Sequence, residues 1–316
     1  MAYTTINKST DHFNTVTYTG NGGTNAITGV GFQPDMVWTK NRSSAQNHLL
    51  YDAVRGIGYY LYPNLTNAQG GSGGSGTFNS FDSDGFTLGS GDDSNVNGEN
   101  GVAWSWKAAN SAGSANTDGT INSTVSVNTT AGFSIVKYTG TGSNATVGHG
   151  LGAVPKMFIV KRRDGADSWY IFNSNLGSND AYIVLDSTNA SSTSNGNTLW
   201  NSTAPTNQVF SLGTNGVVNG SGRTYVAYCF SEKVGYSKFG SYIGNGNADG
   251  TFIYTGFKPA FVMVKRTDNT SDWQMQDNKR IGYNINNYRL KANLSDAETT
   301  SGVMDFISNG FKFRGT

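Results

Sequence analysis

A proline followed by an apolar run that ends in lysine occurs three times in this chain. The copies read Gly31-Phe-Gln-Pro34-Asp-Met-Val-Trp38-Thr-Lys40, Gly152-Ala-Val-Pro155-Lys-Met-Phe-Ile159-Val-Lys161 and Gly256-Phe-Lys-Pro259-Ala-Phe-Val-Met263-Val-Lys265. Three of the five prolines thus hold one repeat position. Pro155 follows Pro34 by 121 residues and Pro259 follows Pro155 by 104, a domain-sized period far longer than that of a solenoid. The runs are apolar at odd and even positions alike, which suits a central strand covered on both faces. Proline is tolerated where such a strand starts, because its missing N–H lies before the ladder.

Flanking blocks keep the same order. Upstream stand Phe13…Tyr18-Thr-Gly20, Phe133…Tyr138-Thr-Gly140 and Phe239…Tyr242-Ile-Gly244; downstream stand Gly85-Phe86-Thr-Leu88, Val209-Phe210-Ser-Leu212 and Gly310-Phe311-Lys-Phe313. A closing strand follows in the first two copies, Gly101-Val-Ala-Trp104-Ser-Trp106 and Tyr225-Val-Ala-Tyr228-Cys-Phe230. In the second of these Val226, Tyr228 and Phe230 alternate with Tyr225, Ala227 and Cys229, the period of a strand. By the same spacing the third copy would start this strand about ten residues past Thr316, so either the sequence is truncated or another chain completes the third unit. Glycine and asparagine at Gly20-Asn-Gly-Gly23 and Gly244-Asn-Gly246 supply the positive φ of hairpin turns.

The pattern predicts an all-β fold of tandem β-sandwich, jelly-roll-like units of ~100 residues each. Three repeats are expected: 1–109; 110–233, including a small polar linker at 109–118; and 234–316, lacking its closing strand. The join at 231–237 is short, so units two and three pack closely. Residues 70–76 read as a mobile loop. The best helix candidate, 278–287, is weakened by Gly282 and its asparagines.

Composition excludes several classes. The 22 basic and 21 acidic residues leave a net charge of +1, too little to bind nucleic acid by phosphate neutralisation. The 39 aromatic residues are enough to build real cores, unlike a disordered chain. Cys229 is the single cysteine, so no internal disulfide or Cys-based zinc site is expected. The first residues carry no signal-peptide pattern and no run approaches the ~18 apolar residues of a membrane span. The expected setting is a reducing cytosol, with no membrane partner.

Candidate chemistry is sparse. Gly71-x-Gly73-x-x-Gly76 and Gly70-x-Ser72-x-Gly74 formally match a dinucleotide fingerprint and a nucleophile elbow. Both need a strand before and a helix after, and no helical period follows. His12, His48 and His149 have no partner at metal spacing, so core or turn roles are favoured. Asp82-Ser-Asp84-Gly85 with Asp92-Asp93 resembles the start of a calcium loop without its third ligand or terminal Glu. A structural turn is the simpler reading. Trp104 and Trp106 match Tyr228 and Phe230, so the position asks for bulk; Cys229 matches Ser105, a small filler. Lys40, Lys161 and Lys265 share a register, followed by Arg42, Arg162 with Arg163, and Arg266. Nearby lie Tyr51-Asp52, Asp167-Ser-Trp169 and Asp272-Trp273. Two readings stand: a basic-aromatic patch for an anionic glycan, or a cross-strand ion pair with a snorkelling lysine, of little energetic weight if exposed. No catalytic, cofactor or metal residues are assigned, and the loops after the three lysines are the places to look for a ligand.

The third unit, Val234-Gly-Tyr-Ser-Lys-Phe through Thr255-Gly-Phe-Lys-Pro259-Ala-Phe-Val-Met-Val-Lys-Arg266 and Asp305-Phe-Ile-Ser-Asn-Gly-Phe-Lys312, resembles a domain of virion proteins of tailed bacteriophages. Those proteins are often tail-fibre or structural proteins of marine phages. Ile27-Thr-Gly-Val-Gly-Phe-Gln-Pro34-Asp and Phe81-Asp-Ser-Asp-Gly-Phe-Thr-Leu88 of the first unit look alike. The resemblance implies a non-enzymatic virion surface protein, fibre- or spike-like, that is oligomeric, sits among other virion proteins and contacts host glycans through loops. The alternatives are a capsid or tail decoration protein with an architectural role, and a glycan depolymerase or its carbohydrate-binding module.

Overall fold

The first unit builds two antiparallel sheets from β1 (Phe13–Thr19), β2 (Asn25–Thr28), β3 (Met36–Asn41), β4 (Leu49–Asp52), β5 (Phe78–Asp82), β6 (Gly85–Leu88) and β7 (Asn100–Trp106). The larger sheet has the order β1-β7-β3-β4 and the smaller β2-β6-β5. The closing strand β7 is central, with Trp106 opposite both Phe13 and Met36, and Trp104 opposite Thr15 and Trp38. Alternation sorts its neighbours onto two faces. Val37, Leu49, Tyr51 and Ala103 meet Ile27, Phe78, Phe86 and Leu88 of the smaller sheet. Met36, Trp38, Leu50, Val102 and Trp104 point the other way. The structure, a computed structural model, describes residues 4–74, 76–282, 284, 286–302 and 304–315.

The second unit repeats the plan with β8 (Ser114–Asn116), β9 (Ser123–Asn128), β10 (Phe133–Thr139), β11 (Ala145–Gly148), β12 (Met157–Arg162), β13 (Tyr170–Asn173), β14 (Ile183–Val184), β15 (Val209–Leu212) and β16 (Thr224–Phe230). Its large sheet runs β14-β13-β12-β16-β10-β9-β8 and its small one pairs β11 with β15. Of two short helices, α1 (Gly196–Trp200) packs beside β15 and α2 (Gly216–Asn219) beside β12, and Trp200 packs into the core between the sheets. The expected linker is partly a strand: β8 pairs with β9 through Ser114↔Val125. Its polar composition is tolerated because an edge strand needs only its backbone to pair. The residues before it are fixed to the first unit, since the Asp35 carboxylate accepts from the amides of Ala108 (2.6 Å), Asn110 (3.1 Å) and Ser111 (3.2 Å).

In the third unit β17 (Phe252–Tyr254), β18 (Phe261–Val264), β19 (Gln274–Asp277), β20 (Met304–Ile307) and β21 (Gly310–Phe313) form the sheet β17-β21-β20 and the pair β18-β19. Residues 239–243, aligned by sequence with β1 and β10, lie outside any strand. Their counterparts pair with β7 and β16, and among the described residues no strand takes that place here. The helix candidate at 278–287 is a turn at Asn278–Arg280 and a bridge at Asn286; Tyr283 and Ile285 lie outside the described residues. Three Asp277 contacts explain the turn: its Oδ1 accepts the amides of Lys279 and Arg280, and its carbonyl takes the side chain of Asn286.

The outward faces of the large sheets do not meet solvent. Trp38, Trp104 and Leu50 of the first unit, Ile135, Ile171 and Tyr228 of the second, and Trp273, Met275 and Leu290 of the third share one buried core. The large sheets of the first two units are therefore covered on both faces, once by their own small sheets and once by their neighbours, and in the third unit Trp273 and Met275 join the same core.

Candidate functional site

The fold uses the repeated lysines as joints. Lys40 Nζ donates to the Ser295 carbonyl (3.1 Å), Lys161 Nζ to that of Thr66 (2.8 Å) and Lys265 Nζ to that of Thr188 (3.1 Å). The first unit thus reaches the third, the second the first, and the third the second. Each ammonium also donates to a carbonyl of its own unit, from Asn41, Asp167 and Arg266 respectively.

Two residues further on the backbone repeats the cycle. The amides of Glu298, Gln69 and Ser191 donate to the carbonyls of Arg42 (2.9 Å), Arg163 (2.8 Å) and Thr267 (2.9 Å). Four residues before the last residue of β4, β13 and β19 stand His48, Trp169 and Trp273. Their ring nitrogens meet the Lys291 (3.0 Å), Tyr62 (2.9 Å) and Val184 (2.9 Å) carbonyls in the same cyclic order. A fourth contact has two members. Trp104 Nε1 donates to Asp277 (3.0 Å) and the Tyr228 hydroxyl to Asp52 (2.6 Å). Each aspartate is held by the arginine three residues on, Arg280 or Arg55.

Burial governs the electrostatics. Lys40 and Lys161 have no exposed surface, and desolvation lowers both ammonium groups to about 8 despite nearby carboxylates. Lys265 is lowered by the same cause. At Lys40 and Lys161 neither sequence reading holds, because the buried ammonium groups are neither an open cationic patch nor half of a surface ion pair; Lys265 is half-buried and lies beside the open cavity of the third unit. The following arginines are engaged too. Arg42 grips Glu298 through Nε and Nη2, Arg162 bonds Asp164 and Asp167, Arg163 bonds Gln69, and Arg266 pairs with Asp268.

The other candidates resolve into packing and turns. His48 Nδ1 accepts from Trp38 Nε1 (2.8 Å), and burial lowers its pKa well below that of free imidazole. His149 Nδ1 accepts from the Leu151 amide (3.2 Å), and His12 meets the Asn128 side chain (3.0 Å). Asp84 accepts from the amides of Gly29 (3.1 Å) and Gly31 (2.6 Å), and Asp82 from Thr87 (2.7 Å). Asp92 is enclosed by Tyr51 and Ser94 and raised by burial to about 6. Cys229 is buried and its thiol pushed up. The glycine-rich loop is tied at its start by reciprocal Tyr60 and Gly70 backbone bonds; Ser75 lies outside the described residues. β5 follows it, so neither glycine motif has the helix it needs. Among the described residues no group of three or more His, Cys, Asp or Glu could hold a metal.

An open surface remains in the third unit. A cavity of about 1720 Å³ runs beside β18, and Tyr242, Ile243, Phe252 and Tyr254 stand exposed near it. The cyclic joints could have been suspected from the shared lysine register, but their acceptors are carbonyls, which carry no residue signature.

No curated protein and no solved structure matches this chain. The model of a family described as a domain of unknown function, DUF7483, matches residues 8–316. The chain belongs to the DUF7483 family.

Proposed function

We propose that this protein is a non-enzymatic, architectural component of a bacteriophage virion surface, a decoration or cementing body of the capsid or tail. The observation that carries the reading is the cycle of equivalent joints: Lys40, Lys161 and Lys265 and the ring nitrogens beside them are spent on holding the units to one another. A repeated polar residue committed to internal joints favours a rigid building block over a repeated adhesive site. The glycan-contact reading is favoured less, since the ammonium groups of Lys40 and Lys161 are buried against carbonyls. The virion setting rests on the resemblance of the strand-and-turn blocks to tailed-phage structural proteins. A pseudo-threefold body suits a threefold or quasi-threefold position on a particle, where each edge meets an equivalent neighbour.

Peptide mass spectrometry of gradient-purified particles from the phage that encodes this chain tests the proposal. The chain is expected in many copies per particle, with density for it on the particle surface in cryo-electron microscopy. Its absence from washed particles, or cleavage of a polysaccharide by the purified protein, would overturn the reading.

A further inference from the structure

The three joints differ in charge at one equivalent place. Between the first and third units, Glu298 stands between two arginines. Its Oε2 accepts from both Arg42 Nε (3.1 Å) and Arg280 Nη1 (2.7 Å), and its Oε1 from Arg42 Nη2 (2.7 Å). Between the first and second units the same backbone bond joins Gln69 to Arg163 that joins Glu298 to Arg42, so Gln69 replaces the glutamate. Arg163 replaces Arg42 and donates its Nε to Gln69 Oε1 (2.8 Å). Arg55 replaces Arg280. Each guanidinium holds the aspartate three residues before it through Nε and the carbonyl five residues before it through Nη2. The match fails at one atom: Arg280 Nη1 meets Glu298, whereas Arg55 Nη1 is buried without a partner. Between the second and third units the four positions hold Asn173, Leu176, Ser191 and Thr267, all uncharged.

The substitution of an amide for a carboxylate accounts for the difference. A carboxylate offers two oxygens, but an amide has one oxygen and a nitrogen that only donates. Gln69 spends its oxygen on Arg163. The charges then fail to cancel. Arg42 and Arg280 are matched by Glu298 and Asp277. For Arg55 and Arg163, Asp52 is the only carboxylate at the matching positions. Lys137, where the first unit has Thr17, adds a cation whose Nζ donates to the Val54 carbonyl (3.2 Å). The acids that follow Arg163 are engaged elsewhere, since Asp164 and Asp167 bond Arg162. Burial first, and the Arg55 guanidinium second, hold the Arg163 pKa below its ordinary value. A buried ionic group without a partner is costly, and an anion beside it offsets that cost.

We propose that the joint between the first and second units is an anion site, which takes one chloride ion from solution between Arg55 Nη1 and Arg163. The size of the ion follows from the balanced joint, where a single oxygen, Oε2 of Glu298, accepts from both arginines. One spherical acceptor does the same work. A tetrahedral oxyanion would bring further oxygens into a close-packed joint that already holds the Gln69 side chain.

The test follows the melting temperature of the whole chain as gluconate is replaced by chloride at fixed ionic strength, for wild type and Gln69→Glu. One bound ion should raise the wild-type melting temperature by about 2–4 °C for each tenfold rise in chloride above its dissociation constant. Gln69→Glu supplies the second oxygen from the chain itself. Its melting temperature should be the higher of the two in gluconate and should respond to chloride less than half as steeply. A crystal of the wild-type chain soaked in bromide should show an anomalous-scattering peak within hydrogen-bonding reach of both Arg55 Nη1 and Arg163, a readout that does not depend on the variant. A flat wild-type response, equal slopes for the two proteins, or a water molecule in place of bromide at Arg55 Nη1 would overturn the proposal.

Discussion

Lys40 and Lys161 carry a charge where the chain gains nothing from solvating it. Each folded ammonium titrates at about 8, against about 10.4 in an unfolded chain. Between those values the unfolded chain holds more protons, so this contribution makes stability rise with pH from about 8 to 10.4. Below pH 8 each buried charge costs on the order of 3 kcal/mol, 1.36 kcal/mol per pH unit of depression. Cys229, whose thiol stays protonated in the fold, works in the opposite direction over the same range. A comparison of wild type with Lys161→Met isolates the lysine: the urea midpoint of the variant should climb less steeply between pH 7.5 and 9.5, by about one proton in linkage. Equal slopes would mean that Lys161 is not desolvated. The Asp52 carboxylate makes a second prediction at this scale. It joins the Arg55 guanidinium to the Tyr228 hydroxyl, and both ionic side chains are fully buried. Asp52→Ala strands a buried guanidinium, and removal of one partner from such a pair costs about 3–5 kcal/mol. Denaturant unfolding reads it directly, and a loss below about 1 kcal/mol would show that Arg55 finds another partner.

At the scale of elements, the Gly-Phe pair of the first and third copies has a steric cause, whereas in the second copy Val209 takes the glycine's place opposite Gly148. A Cβ on Gly85 would meet the Ile27 carbonyl oxygen across the ladder, and a Cβ on Gly310 would meet that of Ile253. Both contacts are with backbone, which cannot swing aside. Gly85→Ala should therefore cost about 1–3 kcal/mol, as overpacking does, while Gly29→Ala in the neighbouring turn, with open space around its Cβ, pays only for its positive φ. Thermal melts that put Gly29→Ala below Gly85→Ala would refute the steric account. Strands such as β3, β12, β7 and β16 were legible in the sequence because period and proline placement mark them locally. What covers their second faces was not legible. Two-sided apolarity announces a buried strand without saying whether its own unit or a neighbour covers it. Lys40 shows why the joints stayed hidden: its acceptor carbonyl at Ser295 is 255 residues away, and any residue type can supply a carbonyl. The short strand β8 within residues 109–118 was not legible for a related reason, since it pairs by backbone alone and its side chains carry no strand pattern.

At the scale of the whole molecule, the joints point one way round, first unit to third, third to second, second to first. Such head-to-tail contacts close only when the rotation between units completes a ring, and here one chain supplies all three positions. The core inside the ring draws Trp38 and Trp104, Ile171 and Tyr228, and Trp273 and Leu290 from the three units. None of these large sheets can lose its neighbours without exposing an apolar face. Independent sandwiches on linkers would unfold in separate steps; a shared core binds the steps together. Tryptophan fluorescence, dominated by this core, and far-UV circular dichroism should therefore give one coincident urea transition. Leu290→Ala, in the third unit, should shift both probes together by about 2–5 kcal/mol. A protease site inserted at Ser111, in the join between the first two units, separates the possibilities further. The nicked chain should elute as a single body at the intact size, because His12 to Asn128, Tyr228 to Asp52 and Lys161 to Thr66 still cross the cut. Release of a folded N-terminal fragment, or a Leu290→Ala effect confined to one of two resolved transitions, would show that the units are autonomous and that the ring is only a packing arrangement.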